Sequence, residues 1–236
     1  IKVIQQVANV KSEPVSVRVA AGESVTVEQE LVLPNPKLWS CESPHLYEMK
    51  TIVQMDGKNL DTRITSFGVR TIEWRADGFY LNGKRVQLKG VCEHHDLGPL
   101  GAAFHERAYE RKIETLKSMG CNAIRMTHNP PAPQVLDLCD KHGILVIDEL
   151  FDIWKYQKYD KKFGYHIFWN SWWKRDVRQL LLRDRNHPCI IAWSGGNEVP
   201  EITHKNGVAI SQALREEIRL YDTTRPYTVG TNAAEG

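Results

Sequence analysis

No charge of either sign dominates this sequence, and no apolar run in it is long. Its 31 Lys and Arg nearly balance 29 Asp and Glu, leaving a formal net charge of +2. That balance gives no reason to expect nucleic acid or an acidic membrane surface as a partner. No stretch approaches the ~20 apolar residues that a membrane-spanning helix needs, and the first residues carry no signal-peptide pattern. CxxC pairs are missing too: Cys41, Cys92, Cys121, Cys139 and Cys189 stand singly. An odd number of cysteines, mostly in apolar surroundings, points to buried free thiols rather than a disulfide framework. The compartment stays open, periplasmic or secreted as readily as cytoplasmic. Neither GxGxxG nor GxxxxGK[ST] follows a strand, so a nucleotide-binding sheet loses its main support and no cofactor is implied.

What is present is an ordinary soluble globular composition, 42% hydrophobic and 25% charged over 236 residues. Residues 1–75 read as short alternating strands rich in Val, Thr, Ile and Tyr: VSVRVA (15–20), SVTVEQELVL (24–33), HLYEMKTIVQMD (45–56) and LDTRITSFGVRTIEW (60–74). Asp56-Gly57 is a hairpin signal, and Pro34, Pro36 and Pro44 mark a loop. The segment looks like part of an immunoglobulin-like β-sandwich, with about four or five strands where about seven are usual. The expectation is a domain cut at its start.

From residue 76 the rhythm changes. After a hairpin in FYLNGKRVQL (79–88), Val86–Cys92 reads as a strand, followed by a helix at 107–119 ending at Gly120. Strand CNAIRMT (121–127), a helix near 133–142, strand ILVIDEL (144–150), a helix near 170–184, strand CIIAWSG (189–195), a helix near 207–221 and strand PYTVGTN (226–232) complete the series. Apolar strands alternating with helices make a parallel sheet wrapped by helices. Polar residues recur where the strands end: His94-His95-Asp96, Arg125 with Thr127-His128-Asn129, Asp148-Glu149, and Asn197-Glu198. In a (β/α)₈ TIM barrel those ends converge on one face, where chemistry sits. The reading is the first five βα units of such a barrel over 76–236, cut at its end, with open sheet edges that favour self-association.

WSGGNEVP (193–200) is the most informative stretch. A carboxyl group at a barrel mouth among apolar neighbours is expected to hold its proton to higher pH and to serve as a general acid. The amide before it can hydrogen-bond a substrate hydroxyl. The alternative for Glu198 is a solvated residue that opens the next turn.

Several segments together resemble glycoside hydrolase family 2, the β-galactosidase and β-glucuronidase family. They are LKGVCEHHDLGPLGAA (88–103), CNAIRMTHNPPAPQVLDLCDKHGILVIDE (121–149) and RDRNHPCIIAWSGGNE (183–198), with NPKLWSCESPHLYEMK (35–50) and FGVRTIE (67–73) matching the end of its sandwich domain. The resemblance implies retaining hydrolysis of a β-linked oligosaccharide or glycoconjugate, with Glu198 as acid/base. It places the nucleophile beyond Gly236, so this stretch alone is expected to be inactive; Asp148 and Glu149 match a different pair. It also implies that Asn197, His94 and His128 touch the sugar, with Asp152 a further candidate. Trp193 is expected to wall the pocket, Trp154 and Trp169 to be stacking platforms, and Trp172 and Trp173 to pack. Arg125 needs a carboxylate partner and either orients the site or satisfies Asp148. His95 is expected to point away, because strand neighbours alternate. FDIWKY (151–156) lacks the Glu-x-His pair that some relatives use for a metal, so no metal is expected. The HHDLG and THNPP forms favour a β-galactosidase-like specificity. β-Glucuronidase or β-mannosidase specificity, or a barrel that binds sugar without cutting it, are the alternatives.

Overall fold

The structure, a computed structural model, describes residues 1–159 and 162–231. Its first region is one antiparallel sheet of β1 (Lys2–Val7), β2 (Val10–Lys11), β3 (Val15–Ser16), β4 (Tyr47–Met55) and β5 (Lys58–Phe67). The order is β2-β1-β4-β5, with β3 also on β1. Asp56 and Gly57 both have positive φ, +50° and +77°, the turn that matches strand twist. The strand expected over residues 24–33 does not form. Its apolar residues have nothing to cover, and Val25 and Val32 are 49% and 74% exposed. Alternation without a neighbour to pair with makes no strand.

A three-stranded antiparallel sheet follows: β6 (Ile72–Arg75), β7 (Gly78–Leu81) and β8 (Lys84–Val86). The strand expected as one run over Val86–Cys92 is divided, because β8 ends at Val86 and the parallel sheet begins at Gly90. That sheet comprises β9 (Gly90–Glu93), β10 (Ala123–Met126), β11 (Leu145–Glu149), β12 (Ile190–Asn197) and β13 (Tyr227–Gly230), in sequential order and all parallel. Asn232, the last residue of the strand expected over 226–232, lies outside the described residues. Between the strands run α1 (Glu106–Ser118), α2 (Pro133–His142), α3 (Trp169–Asp184) and α4 (Lys205–Arg219). An antiparallel region is thus followed by part of a TIM barrel.

Each helix turns its apolar stripe to the sheet: Tyr109 and Ile113, Leu136 and Cys139, Val177 and Leu181, Leu214 and Ile218 are all buried. Gly143 stops α2 in the left-handed region, φ +70°, where a Cβ would lie 2.5 Å from the Cys41 carbonyl oxygen. Segments before the barrel are fastened to its strand-entry side. The Trp39 indole donates to the Asp140 carbonyl at 2.8 Å, and the Arg70 guanidinium donates to the carbonyls of Pro188 and Ile190. Among the described residues, no helix is long and apolar enough to cross a membrane.

Candidate active site

The exit ends of β10, β11 and β12 are tied together by one carboxylate. Glu149 closes β11 and is fully buried. It accepts from Arg125 Nε at 3.0 Å and Nη2 at 2.6 Å, from His128 Nδ1 at 2.7 Å and from Ser194 Oγ at 2.6 Å. Three of these donors share Oε2, and His128 takes Oε1. Arg125 Nη2 also donates to Asn197 Oδ1 at 3.0 Å. That bond fixes which end of the Asn197 amide is which and leaves its NH₂ end facing Asp152 Oδ1, at a long 3.5 Å. Asn197 therefore presents an oriented amide NH₂ group at the end of β12. The partner of Arg125 is Glu149 rather than Asp148 or Glu198, because Asp148 projects from the opposite face of β11.

Beside this network lies an open cleft of about 800 Å³ lined by His94, His95, Asp96, Ala102, Thr127, His128, Asn129 and Asp152. The His94 and His128 rings meet edge to face, 5.2 Å apart. His95 does not point away from it. Strand β9 ends at Glu93, so alternation no longer governs the residues after it, and His95 Nε2 lies 3.4 Å from the Asn129 carbonyl. Asn129 and Asp152 also border an adjoining cavity of about 470 Å³, mostly apolar, with Phe151, Ile153 and Tyr165 in its wall.

Glu198 follows β12 directly, and its N–H donates to the Gly230 carbonyl of β13 at 2.8 Å. Its φ is +47°, in the left-handed region, and its side chain is exposed. The dry setting expected for this carboxyl group is therefore absent among the described residues: β13 is an edge strand, and nothing described lies beyond it.

The tryptophans also differ from expectation. Trp193 does not wall the cleft. It is wholly buried on the helix side, where its indole donates to Asp222 Oδ2 at 2.8 Å and the Arg225 guanidinium lies 5.6 Å over its ring. Trp154 is equally buried and donates to the Gly195 carbonyl at 2.8 Å, while Trp169 stacks on Trp173 with centroids 5.6 Å apart. Neither ring offers a free face to a sugar.

Asp140, His187 and Cys189 bring possible metal ligands within 4.8 Å of one another, at the strand-entry end away from the cleft. Asp140 already bonds the other two residues. Asp140 accepts from His187 Nδ1 at 2.6 Å and from the Cys189 N–H at 2.9 Å, and burial pushes the Cys189 thiol well above its ordinary range. The three form a hydrogen-bonded clasp between α2 and β12.

Three residues of the site escaped sequence reasoning. Glu149 was visible as a strand-end acid but not as the hub, and Ser194 carried no signal of its own. Lys158 is buried at 4% exposure and bonds both Asp152 Oδ1 (2.9 Å) and the Asn197 carbonyl (2.7 Å). In KYQKYDKK it reads as one lysine of a solvated run.

Residues 72–235 match the TIM barrel domain of the glycosyl hydrolases family 2, and residues 1–70 match a second region of that family. The chain belongs to glycosyl hydrolase family 2. It is 47% identical over 182 residues to the β-galactosidase BoGH2A of Bacteroides ovatus, covering 77% of this chain and 21% of that protein. To a β-glucuronidase of Bacteroides fragilis it is 32% identical over 219 residues, covering 92% of this chain and 31% of the other. A solved family 2 member from Bacteroides cellulosilyticus superposes with a TM-score of 0.92 at 40% identity, covering 99% of this chain and 31% of that one. The chain therefore spans about a fifth to a third of the length of these family 2 relatives.

Proposed function

We propose that these residues form the acid/base half of a retaining β-glycosidase site, in a catalytic domain starting near residue 76 after an immunoglobulin-like domain over 1–75. Glu198 donates a proton to the glycosidic oxygen as its bond to the anomeric carbon breaks, and the aglycone leaves as an alcohol. A second carboxylate, supplied from outside residues 1–236, bonds to that carbon. Glu198 then takes a proton from water, whose oxygen displaces the carboxylate and releases the sugar. Asn197, His94, His128 and Asp152 hold hydroxyls of the sugar, and Arg125 keeps Asn197 and Glu149 in register.

The observation that carries this reading is the convergence at one mouth: Arg125, His128, Glu149 and Asn197 meet where the strands end, directly before Glu198. The relatives' names divide between galactosidase and glucuronidase. A neutral glycone, galactose first, is supported by charge. Of the cations described beside the cleft, Arg125 is committed to Glu149 and Lys158 to Asp152, so neither is open to a uronate carboxylate. The exposure of Glu198 favours a second reading, sugar bound but not cut.

Release of nitrophenol from nitrophenyl β-galactoside, β-glucuronide and β-mannoside by the full-length protein separates these. Galactoside turnover that falls about 10²–10⁴-fold in Glu198→Gln supports the proposal. Calorimetric binding of galactose without turnover supports the second reading, and preference for the glucuronide overturns the neutral-sugar assignment.

A further inference from the structure

Lys158 lies in the long segment between β11 and α3, yet its ammonium is buried. A buried cation is tolerated only where acceptors replace water. Two do so here: Asp152 Oδ1 at 2.9 Å and the main-chain carbonyl of Asn197 at 2.7 Å.

The second acceptor is informative. The Asn197 carbonyl belongs to the peptide bond whose nitrogen is that of Glu198. That nitrogen donates to the Gly230 carbonyl at 2.8 Å. A peptide unit is planar, so holding its oxygen on one side and its N–H on the other fixes the whole plane. The next rotation along the chain is the φ of Glu198, at +47°, a left-handed value that non-glycine residues rarely adopt and that costs energy. Such a conformation persists only where its surroundings over-determine it. The Gly230 bond comes from the neighbouring strand, and the Lys158 bond comes from the loop between β11 and α3.

We propose that Lys158 is a positioning residue for Glu198: by anchoring the Asn197–Glu198 peptide plane it aims the Glu198 carboxyl group at the glycosidic oxygen. This rests on the acid/base reading of Glu198. Through Asp152 the same ammonium also binds the loop that borders the cleft, so one cation couples the loop to the end of β12.

The test exploits the chemistry of leaving groups. A dinitrophenolate departs without help, whereas an unsubstituted phenolate needs its proton. In the full-length protein, kcat/KM for dinitrophenyl and phenyl β-glycosides of the preferred sugar reports the bond-breaking step alone. Glu198→Gln should lose the phenyl glycoside about 10²–10⁴-fold while keeping most activity on the dinitrophenyl one. For Lys158→Met, with folding checked by its melt, the same selective pattern is expected at about 10²-fold, the penalty of an ångström-scale misplacement. Lys158→Arg, which keeps a charged donor, should recover part of the phenyl activity. Uniform loss across both substrates in Lys158→Met, with Glu198→Gln selective, overturns the proposal and leaves Lys158 a packing or sugar-binding residue. A Glu198→Gln variant without selectivity overturns the acid/base reading and the Lys158 role with it. Where Lys158→Met does not fold, Lys158→Gln makes the same comparison with one donor retained.

Discussion

Replacing Asp148 by Asn should stabilise the protein increasingly as pH rises. Asp148 is fully buried on the helix side of β11, and no N–H or O–H donor reaches either of its oxygens. Its partner is the Asp184 carboxylate, itself buried and forked onto Arg183 at 2.6 and 2.7 Å. Two carboxyl groups in contact need a proton between them. Burial first and the Asp184 charge second push Asp148 well above the usual carboxylate range, which the Arg183 charge only partly offsets. An unfolded Asp titrates near 3.9, so folding at higher pH takes up one proton. The contribution of Asp148 is then greatest below about pH 4 and falls by up to ~1.4 kcal/mol per pH unit until the folded value is passed. An Asn amide donates to Asp184 much as the neutral carboxyl does, and carries no proton to lose. Above about pH 4 the gap between Asp148→Asn and the parent should therefore widen, by up to ~1.4 kcal/mol per unit, until the raised folded value is passed. Urea melts followed by tryptophan fluorescence at several pH values measure it. Parallel pH dependence of the two proteins would refute the shared proton, and a constant loss on substitution would show that Asp148 is needed as a charge.

The neighbouring acid should respond in the opposite sense. Glu149→Gln removes the acceptor shared by Arg125, His128 and Ser194 and should cost about 3 kcal/mol. This is the low end for a broken buried pair, because the Arg125 side chain is 24% exposed; a urea melt with an unchanged midpoint would contradict it. Burial draws the His187 imidazole down, but its bond to Asp140 more than offsets this and holds it above its ordinary value. That stabilisation is complete below about pH 6.5 and is lost as pH rises through the folded value. The difference in melting temperature between the parent and His187→Gln should accordingly shrink from pH 6 to pH 8, and a difference independent of pH would count against the clasp.

How far the sequence could be read depended on whether two independent signals agreed. The helices of the barrel were legible because an apolar stripe and a stop coincided, as where α2 runs from Pro133 to the left-handed Gly143. Residues 24–33 carried alternation alone, and alternation does not supply a pairing partner. Strand ends located the site, yet faces could not be assigned. β12 is buried at every position from Ile190 to Asn197, so no in-out pattern tells that Ser194 meets Glu149 while Trp193 meets Asp222. The same ambiguity hid which of Asp148 and Glu149 holds Arg125. Lys158 was illegible for a different reason: its role lies in a main-chain carbonyl, and any residue at position 197 would present one. Asn197 and Glu198 could be found from their types, but the direction of Glu198 is set by a peptide plane whose anchors, Lys158 and Gly230, are 39 residues before the Asn197 carbonyl and 32 after the Glu198 N–H. Residue type fixes what the carboxyl group can do, and those two distant hydrogen bonds decide where it does it.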